Sequence, residues 1–123
     1  MAVNMPMPVW IVDDAPSVRE ALGVILEAGG FRVRCYDGAA AFLADAGRGA
    51  DGLLVVDHKM PGMNGIELLQ QLAAGAAPPA AILISAALTP DLARQALAAG
   101  ARAVMDKPVD GEELMTLLRR LSS

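Results

Sequence analysis

Three aspartates directly follow two of the short apolar runs in this sequence. Asp13 and Asp14 come after the run VWIV at residues 9–12, and Asp57 comes after the run GLLVV at residues 52–56. Two like charges about 4 Å apart repel each other by roughly 4 kcal/mol at an effective dielectric constant near 20. If these carboxylates meet in the fold, protonation of one of them or a bound cation would relieve the repulsion. Carboxylate oxygens suit a hard ion such as Mg²⁺ or Mn²⁺.

Whether these acids meet depends on the elements that carry them, and the sequence alternates apolar runs with segments of helical periodicity. In the first such segment apolar residues recur at the spacing of one helix face, at Val18, Ala21, Leu22, Ile25 and Leu26. The predicted strands are residues 9–12, 31–36, 52–56, 80–85 and 101–105, and a predicted helix follows each of them. This alternation predicts an α/β fold, in which a parallel five-stranded sheet carries helices on both faces.

Parallel strands bring their carboxyl ends to one edge of the sheet, and ligands bind beyond that edge. Ser85 ends the fourth predicted strand, and Lys107, followed by Pro108, comes just after the fifth. We therefore expect a hydroxyl group and a positive charge beside the acids. A cation, a lysine and a serine around the carboxylate of Asp57 would stabilise a phosphoryl group during its transfer and as a product.

The segment KMPGMNG follows Asp57 and its neighbouring histidine, and it contains four residues typical of turns. Pro61, Gly62, Asn64 and Gly65 favour a tight loop after the third strand. In such a loop a backbone carbonyl near Lys59 can face a bound ion. A glycine at position 65 also allows the next helix to begin close to the strand.

Composition excludes several classes of protein. The chain has 123 residues, enough for one domain, and its net charge of −4 does not favour nucleic acids as partners. Aromatic residues make up 3% of the chain, too few for the stacking surfaces that bind single strands. A single cysteine, Cys35, excludes an internal disulfide bond and offers no metal-binding spacing.

Neither a signal peptide nor a membrane-spanning run is recognisable in the sequence. The opening residues lack the basic start and the apolar stretch of a signal peptide, and no run has the length of a membrane span. We therefore expect a cytoplasmic protein without membrane contacts. Residues 1–7 are predicted to form a disordered leader, and residues 8–123 a single domain.

Four separated motifs occur in the order and spacing of a known family. VDD after the first strand, DHKMPGMNG after the third, IS at the end of the fourth and MDKPV after the fifth resemble the receiver domain of bacterial two-component response regulators. The resemblance covers roughly residues 8–121. It implies a flavodoxin-like, doubly wound (βα)5 fold with strand order 2-1-3-4-5. It also implies a phosphoprotein that works as a switch in phosphorelay signal transduction.

The resemblance assigns a role to each acid at the predicted edge. Asp57 would be the phosphoacceptor and would also contact Mg²⁺, for which Mn²⁺ could substitute. Asp14 would bind the ion directly, and Asp13 would bind it partly through water. The backbone carbonyl of Lys59 would be a further ligand.

The resemblance also assigns roles to the residues after the fourth and fifth strands. Lys107 would pair with the phosphoryl oxygens, Ser85 would swing in to hydrogen-bond them, and the Lys107–Pro108 peptide bond would be cis. The chain departs from the family at Val104, where a tyrosine or phenylalanine usually stands. Valine cannot make the inward rotation by which that aromatic ring follows the serine or threonine.

Partners follow from the same resemblance. A sensor histidine kinase or a phosphotransfer protein would donate the phosphoryl group, and the receiver would catalyse only its own phosphorylation and dephosphorylation. The output would be a downstream effector or a C-terminal output domain beyond this sequence. A homodimer would form through the face of the fourth helix, fifth strand and fifth helix, which includes Ala93, Leu97, Val104 and parts of residues 110–121.

Two other functions remain compatible with an α/β fold of this size. A Mg²⁺-dependent phosphohydrolase of the HAD type also uses an aspartyl nucleophile, but it usually has a second acid at the position of Lys59 and a cap domain. A flavin-binding electron carrier is the third possibility. The acidic segment DDAPSVRE after the first strand disfavours it, because these acids would repel the phosphate of the flavin cofactor.

Overall fold

A computed structural model of the protein describes residues 7–122, so residues 1–6 of the predicted leader lie outside the described part. The strands are β1 (Pro8–Val12), β2 (Arg32–Tyr36), β3 (Leu53–Asp57), β4 (Ala80–Ser85) and β5 (Ala103–Asp106). The helices are α1 (Pro16–Ala28), α2 (Ala39–Ala44), α3 (Gly65–Ala73), α4 (Pro90–Ala98) and α5 (Gly111–Ser122), and a 3-10 turn spans Ala46–Arg48. None of the helices within residues 7–122 combines the length and apolar character that crossing a membrane requires.

The five strands form one parallel sheet in the order β2-β1-β3-β4-β5. This is the flavodoxin-like order, so the predicted fold class is confirmed. The central strands β1, β3 and β4 are almost wholly buried, as expected of parallel strands covered on both faces. At the edge of the sheet, β2 exposes Arg32, Arg34 and Cys35.

Alternate residues of the central strands contribute to two separate cores, one on each face of the sheet. On one face Ile11, Val55 and Ile84 pack with buried leucines of α1 and α5. On the other face Trp10 and Leu83 pack with residues of α2, α3 and α4. The period-two alternation of side chains therefore sets which helices cover which face.

Local capping residues determine where three of the helices begin. At the start of α3 the side chain of Asn64 accepts from the backbone N–H of Glu67. The side chain of Glu67 in turn accepts from the backbone N–H of Asn64, so the two residues form a capping box. Thr89 accepts from the N–H of Leu92 at the start of α4. Asp110 accepts from two N–H groups in the first turn of α5. Thr89 and Asp110 belong to the residue types that cap helix N-termini well.

The burial of one residue and several strand boundaries differ from the prediction, and every strand except β4 starts one or two residues away from its predicted start. The third strand extends to Asp57, one residue further than predicted. The fifth strand begins at Ala103, because the N–H of Ala101 donates to the carbonyl of Ala96 and so closes the end of α4. Ala21, which was predicted to lie on the apolar face of α1, is exposed. It lines a shallow groove beside the loop after β5.

Candidate functional site

The register of the sheet brings the three predicted aspartates together. Val12 lies opposite Val56, so the residues that follow them, Asp13 and Asp57, are neighbours at the carboxyl edge. One carboxylate oxygen from each of Asp13, Asp14 and Asp57 lies within 4.8 Å of the other two. Asp13 and Asp57 are buried, whereas Asp14 is exposed. The acids therefore form a cluster that is closed on the sheet side and open to solvent on the side of Asp14.

Lys107 provides a positive charge inside this cluster. Its Nζ lies 2.8 Å from Oδ2 of Asp13 and 3.2 Å from Oδ1 of Asp57. Its backbone N–H donates to the carbonyl of Ser85 at 2.9 Å, which holds the loop after β5 against the end of β4. The peptide bond from Lys107 to Pro108 is cis, as the resemblance implied. The ammonium group thus bridges two of the three carboxylates.

The electrostatics of the cluster perturb the titration of Asp57 and Lys107. Burial raises the pKa of Asp57, the negative charge of Asp13 raises it further, and the Lys107 ammonium only partly offsets these effects. Burial on its own lowers the pKa of Lys107, but its contacts with Asp13 and Asp57 outweigh burial and raise it. Ionised Asp57 is therefore less favourable in the folded protein than in the unfolded chain.

This raised pKa predicts that Asp57→Asn stabilises the metal-free protein. At a pH above the pKa of Asp57 in the folded protein, the ionised side chain lowers the free energy of unfolding. As the pH falls through that pKa towards the ordinary value of 3.8, the folded protein binds a proton before the unfolded chain does, so this loss of stability disappears. In chelator at neutral pH we expect asparagine to raise the free energy of unfolding, because it removes the charge that burial and Asp13 disfavour. The gain should shrink towards zero near the ordinary pKa.

Urea unfolding at several pH values measures this difference directly. Asp51→Asn is the matched control, because Asp51 is an exposed acid before β3, outside the cluster. The control should leave stability almost unchanged at every pH. A loss of stability in Asp57→Asn at neutral pH would contradict the electrostatic account.

The donor set fits a hard divalent cation. Three carboxylates supply oxygen ligands of the kind that Mg²⁺ and related ions prefer. Oδ2 of Asp13 is buried, and although it forms an ion pair with Lys107, it accepts no hydrogen bond of acceptable geometry from the part of the chain that the structure describes. A buried carboxylate oxygen that lacks a hydrogen bond and lies near two further carboxylates is compatible with a metal site.

The turn after β3 brings the start of α3 against the backbone of Asp57. Gly62 has a φ of +76°, which an L side chain rarely adopts. A Cβ atom at Gly65 would lie 2.6 Å from the carbonyl oxygen of Asp57 and 2.9 Å from Cα of His58, so only glycine fits. The side chain of Lys59, in the same turn, is exposed. The predicted close approach of helix and strand is present.

Ser85 is buried at the end of β4, and its hydroxyl oxygen takes part in a local turn. Its Oγ accepts from the backbone N–H of Ala87 at 3.0 Å. Among the described residues it has no hydrogen bond with Asp57. Val104, on the adjacent strand, is half-buried and packs against the core on the side of α3 and α4. The structure therefore places Ser85 at the predicted edge, with its hydroxyl held by a local turn.

Arg19 is a further residue at this edge that the sequence reasoning missed. Its Nη1 donates to the backbone carbonyl of Asp13 at 2.7 Å. A signal was present in the sequence, because Arg19 lies near the start of a helix, where the helix dipole disfavours a positive charge. The contact itself could not be predicted, because it depends on the path of the loop between β1 and α1.

Comparisons with known proteins agree on one family. The family model described as the response regulator receiver domain matches residues 9–119. The transcriptional regulatory protein FixJ of Azorhizobium caulinodans is 40% identical over 114 residues, which cover 92% of this chain and 54% of FixJ. The response regulator protein TmoT of Ectopseudomonas mendocina is 37% identical over 111 residues, which cover 90% of this chain and 50% of TmoT.

A solved structure supports the same assignment. The crystal structure of FixJ-N superimposes with a TM-score of 0.86 at 34% identity and covers 99% of this chain and 95% of that one. The chain spans about half the length of the curated relatives FixJ and TmoT. These relatives are regulatory proteins rather than classical enzymes, and the phosphohydrolase alternative finds no support among them. With its parallel sheet, its acids at the carboxyl edge and these matches, the chain belongs to the receiver domain family of two-component response regulators.

Proposed function

We propose that Asp57 accepts a phosphoryl group and that the lysine at the end of β5 stabilises it. The observation that carries this proposal is the position of the Lys107 ammonium, 2.8 Å from Asp13 and 3.2 Å from Asp57. A lysine that lies between carboxylates can also contact the oxygens of an incoming phosphoryl group and compensate their negative charge. Asp13 is also buried and contacts this lysine, but its Oδ1 already accepts from the N–H of Ala15, so we assign the acceptor role to Asp57, as the family resemblance implies.

In the proposed transfer a carboxylate oxygen of Asp57 attacks the phosphorus atom of a phosphohistidine. A new oxygen–phosphorus bond forms while the phosphorus–nitrogen bond of the donor breaks, and the donor imidazole keeps the electron pair. The product is an acyl phosphate on Asp57. Hydrolysis by water later returns the carboxylate and releases inorganic phosphate. The receiver thus catalyses only reactions of its own side chain.

Asp13, Asp14 and Asp57 would hold a divalent cation, with the carbonyl of Lys59 as a further ligand. Mg²⁺ is the ion we propose, and Mn²⁺ could replace it, since both prefer oxygen ligands. When bound, the ion would neutralise the negative charge that accumulates on the phosphoryl oxygens. The chain contributes the geometry, because the sheet register fixes the Asp13 and Asp57 backbones side by side.

Ser85 and Val104 would convert phosphorylation into a change of shape. The Ser85 hydroxyl would leave the N–H of Ala87 and turn towards the phosphoryl oxygens on Asp57. Because Val104 lacks an aromatic ring that could follow this movement, the change would pass through the backbone between β4 and α4. We therefore propose a response centred on the loop that begins at Ala86.

We further propose the partners and setting of this receiver. A cytoplasmic sensor histidine kinase or a phosphotransfer protein would donate the phosphoryl group, and the relatives' greater length supports an output domain or effector as the recipient of the signal. Residues 8–123 would act as one domain. Half-exposed Leu97 on α4, together with β5 and α5, would form the contact face of a homodimer.

The substitution Lys107→Ala tests the proposed role of the Lys107 ammonium group. A complete switch from 1:99 to 99:1 needs about 5.5 kcal/mol of differential stabilisation. Losing a charge-assisted contact worth about 2.7 kcal/mol would leave the phosphorylated protein near a 1:1 mixture of its two states. Amide NMR spectra before and after treatment with acetyl phosphate should therefore show roughly half the wild-type displacement, with the fold retained.

Lys59→Ala is the matched control for this experiment. Lys59 lies two residues after Asp57, but its side chain is exposed and makes no ion pair with the acids among the described residues. The control should keep a wild-type response. A full response in Lys107→Ala would remove the lysine from the proposed function.

A further inference from the structure

The half-buried guanidinium group of Arg19 contacts the loop that carries the acid pair. Its Nη1 donates to the carbonyl oxygen of Asp13 at 2.7 Å. Helix side chains point back towards the N-terminus, which lets an arginine in the first turns of α1 reach the loop that precedes the helix. The helix dipole disfavours a positive charge at this position, and α1 has no acidic residue in its first turn to offset it. The contact with Asp13 compensates for this unfavourable position.

Arg19 completes a set of contacts that uses every polar group of Asp13. The backbone N–H of Asp13 donates to the carbonyl of Tyr36 at 3.1 Å. Its Oδ1 accepts from the N–H of Ala15 at 2.9 Å, and its Oδ2 lies 2.8 Å from Nζ of Lys107. Within residues 7–122 the bond from Arg19 is the one hydrogen bond to this carbonyl, and it restrains the peptide plane that follows Asp13.

That peptide plane leads into Asp14, the exposed member of the acid cluster. Within residues 7–122 the carboxylate of Asp14 has neither a hydrogen bond nor an ion pair. Its direction therefore depends on the backbone that carries it, and this backbone begins at the carbonyl held by Arg19. A carboxylate that has no hydrogen bond or ion pair of its own can still keep a defined orientation if the preceding peptide is rigid.

We propose that Arg19 is a positioning residue for the cation site, which acts by fixing the Asp13 carbonyl and thereby the direction of Asp14. The proposal rests on the proposed function, because it requires a cation among Asp13, Asp14 and Asp57. Residues that orient metal ligands typically change metal affinity by about 10–100-fold when they are removed.

The charge of Arg19 and its positioning contact have opposite effects on cation affinity. A positive charge near the cluster repels a cation, so removing the charge alone would tighten binding. Removing the contact with the Asp13 carbonyl would loosen the loop and weaken binding. The sign of the change therefore separates positioning from simple electrostatics.

The test is calorimetric titration of the metal-free protein with Mg²⁺, without any phosphodonor. Arg19→Met keeps most of the aliphatic stem and removes the guanidinium group; Arg19→Gln, also neutral, replaces it if the methionine variant does not fold. Arg102→Met is the matched control, because Arg102 is exposed at the opposite end of the sheet. We expect the dissociation constant to rise about tenfold or more in Arg19→Met and to stay unchanged in Arg102→Met. Arg19→Lys, which keeps a cation and a donor, should recover part of the affinity.

Each result has a separate meaning. Weaker binding in Arg19→Met, with partial recovery in Arg19→Lys, supports the proposal. Equal or tighter binding in Arg19→Met, while the wild type binds Mg²⁺ normally, overturns this proposal and leaves the proposed function intact. Absence of Mg²⁺ binding by the wild type overturns both.

Discussion

Asp57→Asn is expected to abolish phosphorylation of the protein by acetyl phosphate. An amide oxygen is a far weaker nucleophile than a carboxylate, and the neutral side chain also removes one proposed ligand of the cation. Asp57 is buried beside Lys107, and unlike Asp13 it is the acid that the family resemblance assigns as the acceptor. The labelled fraction, measured by intact mass after a fixed exposure, should fall to the background of untreated protein.

Asp106→Asn is the control for this substitution. Asp106 ends β5 at the same edge of the sheet, but it is exposed and does not belong to the three-acid cluster. Its substitution should leave labelling at the wild-type level. Undiminished labelling in Asp57→Asn would move the acceptor to another acid, with Asp13 and Asp14 the nearest candidates.

Removing divalent cations is expected to reduce labelling by acetyl phosphate about as strongly as Asp57→Asn does. Without a cation, the clustered acids repel an incoming phosphoryl group, and Lys107 already shares its charge between two carboxylates. The loss of about 3–4 kcal/mol of charge stabilisation would slow the transfer by about 10²–10³-fold. Excess chelator should therefore stop labelling on the time scale of the wild-type reaction, and added Mg²⁺ or Mn²⁺ should restore it.

The cation effect has its own control in the protein. Asp14→Asn keeps Asp57 and Lys107 but removes the exposed ligand of the cluster. It should raise the Mg²⁺ concentration that gives half-maximal labelling, while the labelled residue stays the same. Rapid labelling that persists in chelator would refute the metal site, even if Asp57 proved to be the acceptor.

Much of the fold could be predicted because its signals are local. The buried strands β1, β3 and β4 are continuous apolar runs, and the caps at Thr89 and Asp110 are single side chains that act on neighbouring N–H groups. Alternation of strands and helices indicated a parallel sheet, but it permits several strand orders. The order 2-1-3-4-5 came from the resemblance to a family and is confirmed by the sheet.

Features that depend on distant contacts could not be predicted. The 3-10 turn at Ala46–Arg48 forms where the Arg48 guanidinium lies 4.1 Å from the centre of the Phe42 ring and Asp45 accepts from the N–H of Gly47. The contact of Arg19 with Asp13 needs the folded path of a loop. The hydrogen bond that Oγ of Ser85 accepts from the N–H of Ala87 depends on the folded path of the chain after β4.

The central claim is that Asp57 takes up a phosphoryl group with the help of a cation held by the acid cluster. Peptide mass spectrometry after exposure to acetyl phosphate, in parallel with Mg²⁺ and with chelator, tests this claim most directly. We predict one added phosphoryl group on the peptide that contains Asp57, present with Mg²⁺ and absent with chelator. A phosphoryl group on a different peptide, or equal labelling of Asp57 in chelator, would contradict the account.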